Sequence, residues 1–128
     1  MTNTITKTIL EDGPRNLVVH VTILGDSSGD ESATLLIDRS TYAPTTGTKL
    51  VVEKVEGQLG GFTARLLFDA TTDLVIATLP DGNPFKFDWD AGGGISSTKA
   101  AGSNGDILLT TSGLATEYGT FTLWMRKG

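Results

Sequence analysis

The stretch Leu17-Val18-Val19-His20-Val21-Thr22-Ile23-Leu24 alternates a wholly apolar set of side chains with a mixed set. Successive side chains of a β-strand point to opposite faces of the sheet. Leu17, Val19, Val21 and Ile23 would therefore share one buried face, while His20 would lie on the other. The stretch predicts a central strand with one side against a core.

Short apolar runs of this kind recur along the chain, separated by Gly, Asp, Asn, Ser and Pro, which are turn-forming residues. No segment sustains the i, i+3, i+4, i+7 period of a helix. The predicted strands are residues 4–10, 17–24, 33–38, 50–55, 62–69, 74–79, 85–90, 107–111 and 118–125. We expect residues 1–128 to form a single all-β domain, an antiparallel β-sandwich or a jelly-roll or other barrel of about eight to nine strands with almost no helix.

Several local features follow from the same patterns. The Gly- and Asp-containing residues 25–31 predict a hairpin turn joining the strands 17–24 and 33–38. Residues 74–79 are apolar on both faces, which is typical of a strand buried inside a sandwich. Gly57, Gly60 and Gly61 predict a turn, and residues 91–104 predict a loop of small side chains without a core of its own.

Composition narrows the chemistry further. The chain has 128 residues, a net charge of −5 and no cysteine, which excludes disulfides, cysteine-ligated metals and thiol nucleophiles. A pI near 4.6 argues against broad contact with nucleic acid or an anionic membrane surface. Because no long apolar run and no signal-peptide core occur, we expect a soluble chain without a membrane span.

Two polar features could carry chemistry, but each has an ordinary structural interpretation. His20 is the only histidine, and the sequence positions no carboxylate and nucleophile with it, so we interpret it as a strand histidine. Residues 26–31 offer oxygen ligands for Ca²⁺, yet they do not follow EF-hand spacing and fit a solvated hairpin tip better. We therefore predict no catalytic residue, no metal site and no cofactor.

The segment Asp88, Trp89 and Asp90 could stack a sugar ring on the indole and bind its hydroxyls through the carboxylates. Trp89 shares its predicted face with Phe85 and Phe87, which favours burial in the core. A glycosidase needs two paired carboxyls roughly 5 to 9.5 Å apart, and no such pair is indicated. A carbohydrate-binding β-sandwich module, which would require an exposed Trp89 or Trp124, stays open as an alternative.

Four segments of the chain together carry a resemblance to a known class of proteins. They are residues 65–73 (RLLFDATTD), 79–82 (LPDG) and 105–111 (GDILLTT), and the terminal Arg126-Lys127. With them, the chain resembles small β-rich virion structural proteins of tailed bacteriophages. The resemblance covers about residues 62–128 together with the opening segment 8–16. Its motifs are structural rather than catalytic.

The resemblance implies a non-enzymatic capsid decoration or cement protein that binds and stabilises the mature head. A tail or head-tail connector component is the alternative within the same class. The implied partners are the major capsid protein or other virion proteins, and the implied location is the head surface, after synthesis in the cytoplasm of a bacterial host. Symmetric capsid positions favour a homo-oligomer, a trimer first and a dimer second.

Capsid contacts would use sheet edges or flexible segments, because an edge offers unpaired backbone groups to a partner strand. The candidate contact segments are the N-terminal strand 2–10 and the loop 91–104. The candidate contact residues within them are Thr2, Asn3, Thr4, Ile5, Gly92, Gly93 and Gly94. We expect deletion of residues 1–7 to weaken capsid binding more than it weakens folding.

Overall fold

The computed structural model of the protein describes residues 3–13, 15–27, 29–42 and 49–127. Three single-turn 3₁₀ helices occur at Arg39–Thr41, Asp90–Gly92 and Ser97–Lys99, and the described residues include no α-helix. The described strands are β1 (Thr4–Asp12), β2 (Asn16–Leu24), β3 (Thr34–Ile37), β4 (Leu50–Gly60), β5 (Thr63–Phe68), β6 (Leu74–Leu79), β7 (Phe85–Asp88), β8 (Ile95–Ser96), β9 (Ile107–Ser112) and β10 (Tyr118–Lys127).

The strands form two sheets. Sheet A has the order β1-β2-β10-β4-β7, with the short β8 also paired to β4, and sheet B has the order β3-β9-β5-β6. Every pairing between these strands is antiparallel. The all-β prediction is confirmed, and β2 is an interior strand between β1 and β10, as its alternation indicates.

The core lies between the inner faces of the two sheets. Leu17, Val19, Val21 and Ile23 of β2 are fully buried, and so are Leu66 and Phe68 of sheet B. Phe121, Leu123 and Met125 continue the same inner face along β10. Period-2 alternation therefore sets which side of β2, β5 and β10 is buried.

The predicted hairpin between residues 17–24 and 33–38 is wrong. β2 belongs to sheet A, whereas β3 pairs with β9 in sheet B. The connection crosses from one sheet to the other, and the Asp30 carboxylate fastens it by accepting a hydrogen bond from the Leu114 backbone N–H at 2.7 Å. Turn-forming residues thus mark a reversal of the chain without determining which strands pair.

The prediction that residues 74–79 are a buried interior strand is also wrong. β6 is an edge strand of sheet B, and Val75 is 44% exposed. The register passes from Leu66 opposite Ala77 to Leu67 opposite Val75, so Ile76 is the extra residue of a β-bulge. The bulge lets the adjacent Ile76 and Ala77 both be buried, which explains an apolar run on an edge strand.

Two glycine-rich regions are more ordered than the sequence predicts. β4 continues through Gly57 to Gly60, so the turn begins only at Gly61. Residues 91–104 contain β8 and the buried Ser97, whose hydroxyl accepts a hydrogen bond from the Leu50 backbone N–H at 3.1 Å. This segment packs against β4 and is not a loop without a core.

The end of β10 is fastened to the β1–β2 turn. Lys127 is buried, its ammonium forms an ion pair with Asp12, and it donates a hydrogen bond to the Gly13 carbonyl at 2.8 Å. Arg126 forms an ion pair with Glu53 at 3.3 Å. The sequence pattern of a basic pair after the last strand predicts a solvated strand end, and for Lys127 this prediction is wrong.

No helix in the described ranges has the length and apolar character needed to cross a membrane.

Candidate functional site

Strand β1 is the most exposed strand among the described residues. It lies at one end of sheet A, where it pairs with β2, and no other described strand pairs with it. Eight of its nine residues are exposed, and Ile5 is the partly buried exception. We call the side of β1 that faces away from β2 the β1 edge. Such an edge presents backbone N–H and C=O groups to a partner strand.

Two adjacent apolar side chains, Ile9 and Leu10, are exposed on β1. Ile9 is 50% and Leu10 59% exposed. Ile9 lies opposite Val19 and Glu11 lies opposite Val18, so Leu10 is the extra residue of a bulge. The predicted contact strand 2–10 includes both residues, although the contact residues named singly end at Ile5. The signal that could have singled them out is the break in alternation at Ile9-Leu10, within a strand otherwise rich in Thr and Lys.

The start and the middle of β1 are held by contacts beyond the β2 pairing. Asn3 donates from its amide to the Gly29 carbonyl at 2.8 Å and to the Glu31 carboxylate at 2.7 Å. Lys7 donates to the Leu36 carbonyl at 3.0 Å and thereby links β1 to β3 of the other sheet. The β1 edge is consequently a fixed surface of the fold.

The structure separates the predicted N-terminal contact residues by environment. Thr2 lies outside the described residues. The Asn3 side chain is hydrogen-bonded to the 25–31 loop, and Ile5 packs against the core. Thr4 is exposed and pairs with Leu24. Within the predicted set 2–5, Thr4 is thus the described residue whose side chain is placed to meet a partner.

The glycine run 92–94 forms a compact turn beside β4. Gly92 and Gly94 both donate from their backbone N–H to the Trp89 carbonyl, at 3.0 and 2.9 Å. Gly94 has a φ of +82°, and a Cβ there would lie 2.6 Å from a methyl group of Val51. β2 and β10 separate β1 from β4, and the three strand spacings amount to roughly 14 Å across the sheet. The structure does not bring the two predicted contact regions together.

The predicted glycan residues point in different directions. The Trp89 ring stacks on Phe87, with centroids 5.7 Å apart, and packs against the core. Asp88 instead lines a shallow cavity of about 270 Å³ on the outer face of sheet A, together with Trp124, Lys54 and Glu53. The side chain of Asp90 lies outside the described part of the chain. Asp88 therefore lines the same cavity as Trp124, whereas Trp89 does not line it.

The Trp124 cavity already contains charged groups. The Lys54 ammonium lies 4.6 Å from the centre of the Trp124 ring, a cation–π distance. Lys54 also forms an ion pair with Glu56 at 3.4 Å. A sugar ring could stack on Trp124 only after the Lys54 side chain moves aside.

His20 lies on the outer face of sheet A between threonines of β10. Its Nδ1 is 2.9 Å from the Thr122 hydroxyl, and its Nε2 is 2.9 Å from the Thr120 hydroxyl. Both ring nitrogens are thus within hydrogen-bond distance of side chains of the neighbouring strand. This arrangement agrees with the interpretation of His20 as a strand histidine.

The acidic side chains of the 26–31 segment accept hydrogen bonds from other parts of the chain. The Leu114 backbone N–H, the largest influence, lowers the pKa of Asp30 below its ordinary value, because it donates to the ionised carboxylate. Glu31 accepts hydrogen bonds from Asn3 and from the Thr34 hydroxyl, at 2.7 and 2.8 Å. Across residues 3–13, 15–27, 29–42 and 49–127, no group of three His, Asp or Glu side chains could hold a metal ion.

No protein-family model matches the chain, and no curated protein matches it. Similar solved structures include a cupin domain from Bordetella pertussis Tohama I, at 10% identity and a TM-score of 0.42, covering 100% of this chain and 98% of that one. Another is an RmlC-like cupin family protein with a double-stranded β-helix fold from Methanocaldococcus jannaschii, at 6% identity and a TM-score of 0.38, covering 97% and 80%. A third is Peruvianin-I, a cysteine peptidase from Thevetia peruviana latex, at 10% identity and a TM-score of 0.38, covering 98% and 62%.

Proposed function

We propose that this protein is a non-enzymatic virion structural protein of a tailed bacteriophage, and that it decorates the mature head by binding the major capsid protein. The observation that carries the proposal is the β1 edge, with Ile9 and Leu10 exposed beside it. The sequence resemblance of residues 8–16 and 62–128 to phage virion proteins supplies the class of partner. Residues 8–16 include Ile9 and Leu10, so the two arguments meet on the same strand.

The β1 edge can join an extended capsid segment by β-augmentation. Backbone hydrogen bonds would supply general affinity, while Ile9 and Leu10 would be buried by the incoming strand. A ligand that binds only the mature lattice stabilises that state by mass action, so repeated modest contacts are sufficient. The net charge of −5 limits adhesion to packaged or free DNA.

The number of copies per particle tests the class of virion protein. Quantitative mass spectrometry of purified particles would compare this chain with the major capsid protein. A copy number comparable with that of the capsid protein supports head decoration. A small fraction of that number would favour the tail or connector alternative, and absence from the particle would contradict both.

The first prediction concerns the β1 edge. The double variant Ile9→Lys with Leu10→Lys should bind expanded capsids at least about tenfold more weakly, since burying a lysine in place of an apolar anchor costs more than 1.4 kcal/mol. Binding is measured by co-sedimentation of full-length protein with capsids. Its stability should change little, because both side chains are exposed in the isolated protein.

Tyr118→Lys is the matched control, because Tyr118 is 70% exposed on the same sheet but lies on the interior strand β10. Equal loss of binding in this control would contradict a role for the β1 edge. Deletion of residues 1–7 is a less selective test than the sequence indicates. It would also remove the contacts of Asn3 and Lys7 that hold β1 in place.

Carbohydrate binding is the second candidate, and the position of Asp88 beside Trp124 favours it specifically. On the capsid proposal, oligosaccharides leave the intrinsic tryptophan fluorescence of the protein unchanged. A saturable change that persists in Trp89→Phe and disappears in Trp124→Phe would instead support a glycan-binding module. The two variants are matched because each keeps one of the two tryptophans.

A further inference from the structure

An apolar row crosses the whole outer face of sheet B. The strand register places Leu35 opposite Leu108, Leu108 opposite Leu67, and Leu67 opposite Val75. On β5 and β6 these side chains lie opposite in direction to the buried Leu66, Phe68 and Ile76. Leu35 and Val75, at the two ends of the row, are 47% and 44% exposed, whereas Leu67 is partly buried and Leu108 is only 8% exposed.

Opposite charges flank this row on its two sides. Arg65 precedes Leu67 by two residues on β5 and is exposed on the outer side. Asp69 follows directly after the last residue of β5, Phe68. Arg65 lies opposite Thr78 and Thr110, and these three residues line a depression of about 350 Å³. Beyond the other side of the row, the Asp69 backbone N–H donates to the Asp106 carbonyl at 3.0 Å, so two acidic residues lie there together.

We infer that the outer face of sheet B docks a second copy of this chain, as a face-to-face dimer whose two-fold axis runs along the apolar row. Rotation by 180° about that axis places each strand opposite the same strand of the other copy. The two facing strands then run in opposite directions. The exposed Leu35 and Val75 then meet the same residues of the other copy, and Arg65 of each copy meets Asp69 of the other. A single surface patch is thus complementary to itself, as a two-fold interface requires.

The charge pattern is what selects a second copy as the occupant. With the axis along the row, the acidic sides of the two copies lie on opposite sides of the interface, so like charges are kept apart. The same rotation brings each Asp69 to the depression that Arg65, Thr78 and Thr110 line in the other copy. A carboxylate and a guanidinium form charge-assisted hydrogen bonds in such a position.

The size of the face sets the expected strength of the dimer. Four strands about 4.8 Å apart and three rows of side chains span roughly 19 by 17 Å, or about 320 Å² per copy. Stable interfaces commonly bury about 800 Å² per partner. We therefore expect a weak, reversible and salt-sensitive dimer, which is a property of the chain separate from the proposed capsid function.

Analytical ultracentrifugation of the full chain, from micromolar to millimolar concentration at low salt, tests this inference. The expected result is a monomer–dimer equilibrium that weakens as salt is added, because exposed ion pairs are screened. Arg65→Glu and Asp69→Lys should each weaken dimerisation by about tenfold or more, since each places like charges opposite each other. The double variant should restore dimerisation, because the opposite charges meet again with their positions exchanged.

Lys86→Glu is the matched control for Arg65→Glu, because it changes the net charge equally but lies on β7 of sheet A. Its dimer should resemble that of the unmodified protein. Val75→Asp should also abolish the dimer, which provides a second test if either charge variant folds poorly. Folding of every variant is verified by circular dichroism and thermal unfolding.

Three results would overturn the inference. The first is a chain that stays monomeric over the whole concentration range. The second is a dimer that Lys86→Glu weakens as much as Arg65→Glu does, or that the double variant does not restore. The third is a dimer that persists in Val75→Asp but is lost when Ile9 and Leu10 are both replaced by lysine, which would assign the contact to the β1 edge.

Discussion

Replacement of Gly57 by alanine is expected to reduce the free energy of unfolding by about 3 kcal/mol. A Cβ at Gly57 would lie 2.5 Å from the Cα and 2.6 Å from the Cβ of Phe121, and it would also overlap the Thr120 carbonyl oxygen. These atoms belong to β10, which pairs with β2 on one side and with β4 on the other. The neighbouring backbone therefore cannot move without disturbing the middle of sheet A.

Urea or thermal unfolding of Gly57→Ala measures this loss. The matched control is Gly92→Ala, because no atom lies within 4 Å of a Cβ at Gly92 and its φ is not in the left-handed region. Its stability should stay within about 0.5 kcal/mol of the unmodified protein. A Gly57→Ala protein as stable as this control would mean that β4 and β10 are not as closely apposed as described.

Arg39→Leu is expected to cost about 3–5 kcal/mol of stability and to lower Tm by roughly 10–20 °C. Arg39 is only 1% exposed, and its guanidinium donates to the Lys49 carbonyl at 2.9 Å and to the Tyr42 carbonyl at 2.7 Å. A leucine would leave these two acceptors without their arginine donors, and buried acceptors that lose a donor are costly. The large effect arises from lost hydrogen bonds inside the fold and not from lost surface charge.

Two further variants separate these causes. Arg39→Lys keeps the positive charge but not the planar, multiply donating guanidinium, so its stability should be intermediate. Arg65→Leu, measured in dilute solution, removes an exposed arginine and should change stability by less than about 0.5 kcal/mol. Equal destabilisation by Arg39→Leu and Arg65→Leu would contradict the structural role assigned to Arg39.

The fold class and most strands could be predicted from the sequence, because period-2 alternation directly reports a strand with one buried face. β2 and β10 show it most clearly, because every second residue in each strand is buried. Strand partners were harder to predict. β3 follows β2 in sequence but lies in the other sheet, since nothing local in residues 25–31 distinguishes a hairpin turn from a crossing between sheets.

Bulges were the second source of error. At the extra residue Ile76, a bulge lets two adjacent apolar residues of an edge strand be buried. At the extra residue Leu10, a bulge leaves two adjacent apolar side chains exposed to solvent. A bulge is defined by the partner strand, so it is not visible in the pattern of one strand alone. The sequence thus predicts the N-terminal strand as a contact surface without singling out Ile9 and Leu10 on it.

The glycine run 92–94 was predicted as a flexible contact because Gly is common in loops. Its backbone instead closes a turn on the Trp89 carbonyl, and Gly94 is required by its positive φ and its closeness to Val51. The same residue type thus serves close packing here and at Gly57. Sequence composition does not separate close packing from flexibility, because both favour the absence of a side chain.

The contacts at the two ends of β1 affect the entropy of any association at its edge. Asn3 joins one end to the 25–31 loop, and the Lys127–Asp12 ion pair joins the other end to β10. A disordered arm would lose conformational freedom on binding, and that loss would subtract from the affinity. β1 is already ordered before a partner arrives, so it is a preorganised template, and most of the binding free energy of its edge is available for association.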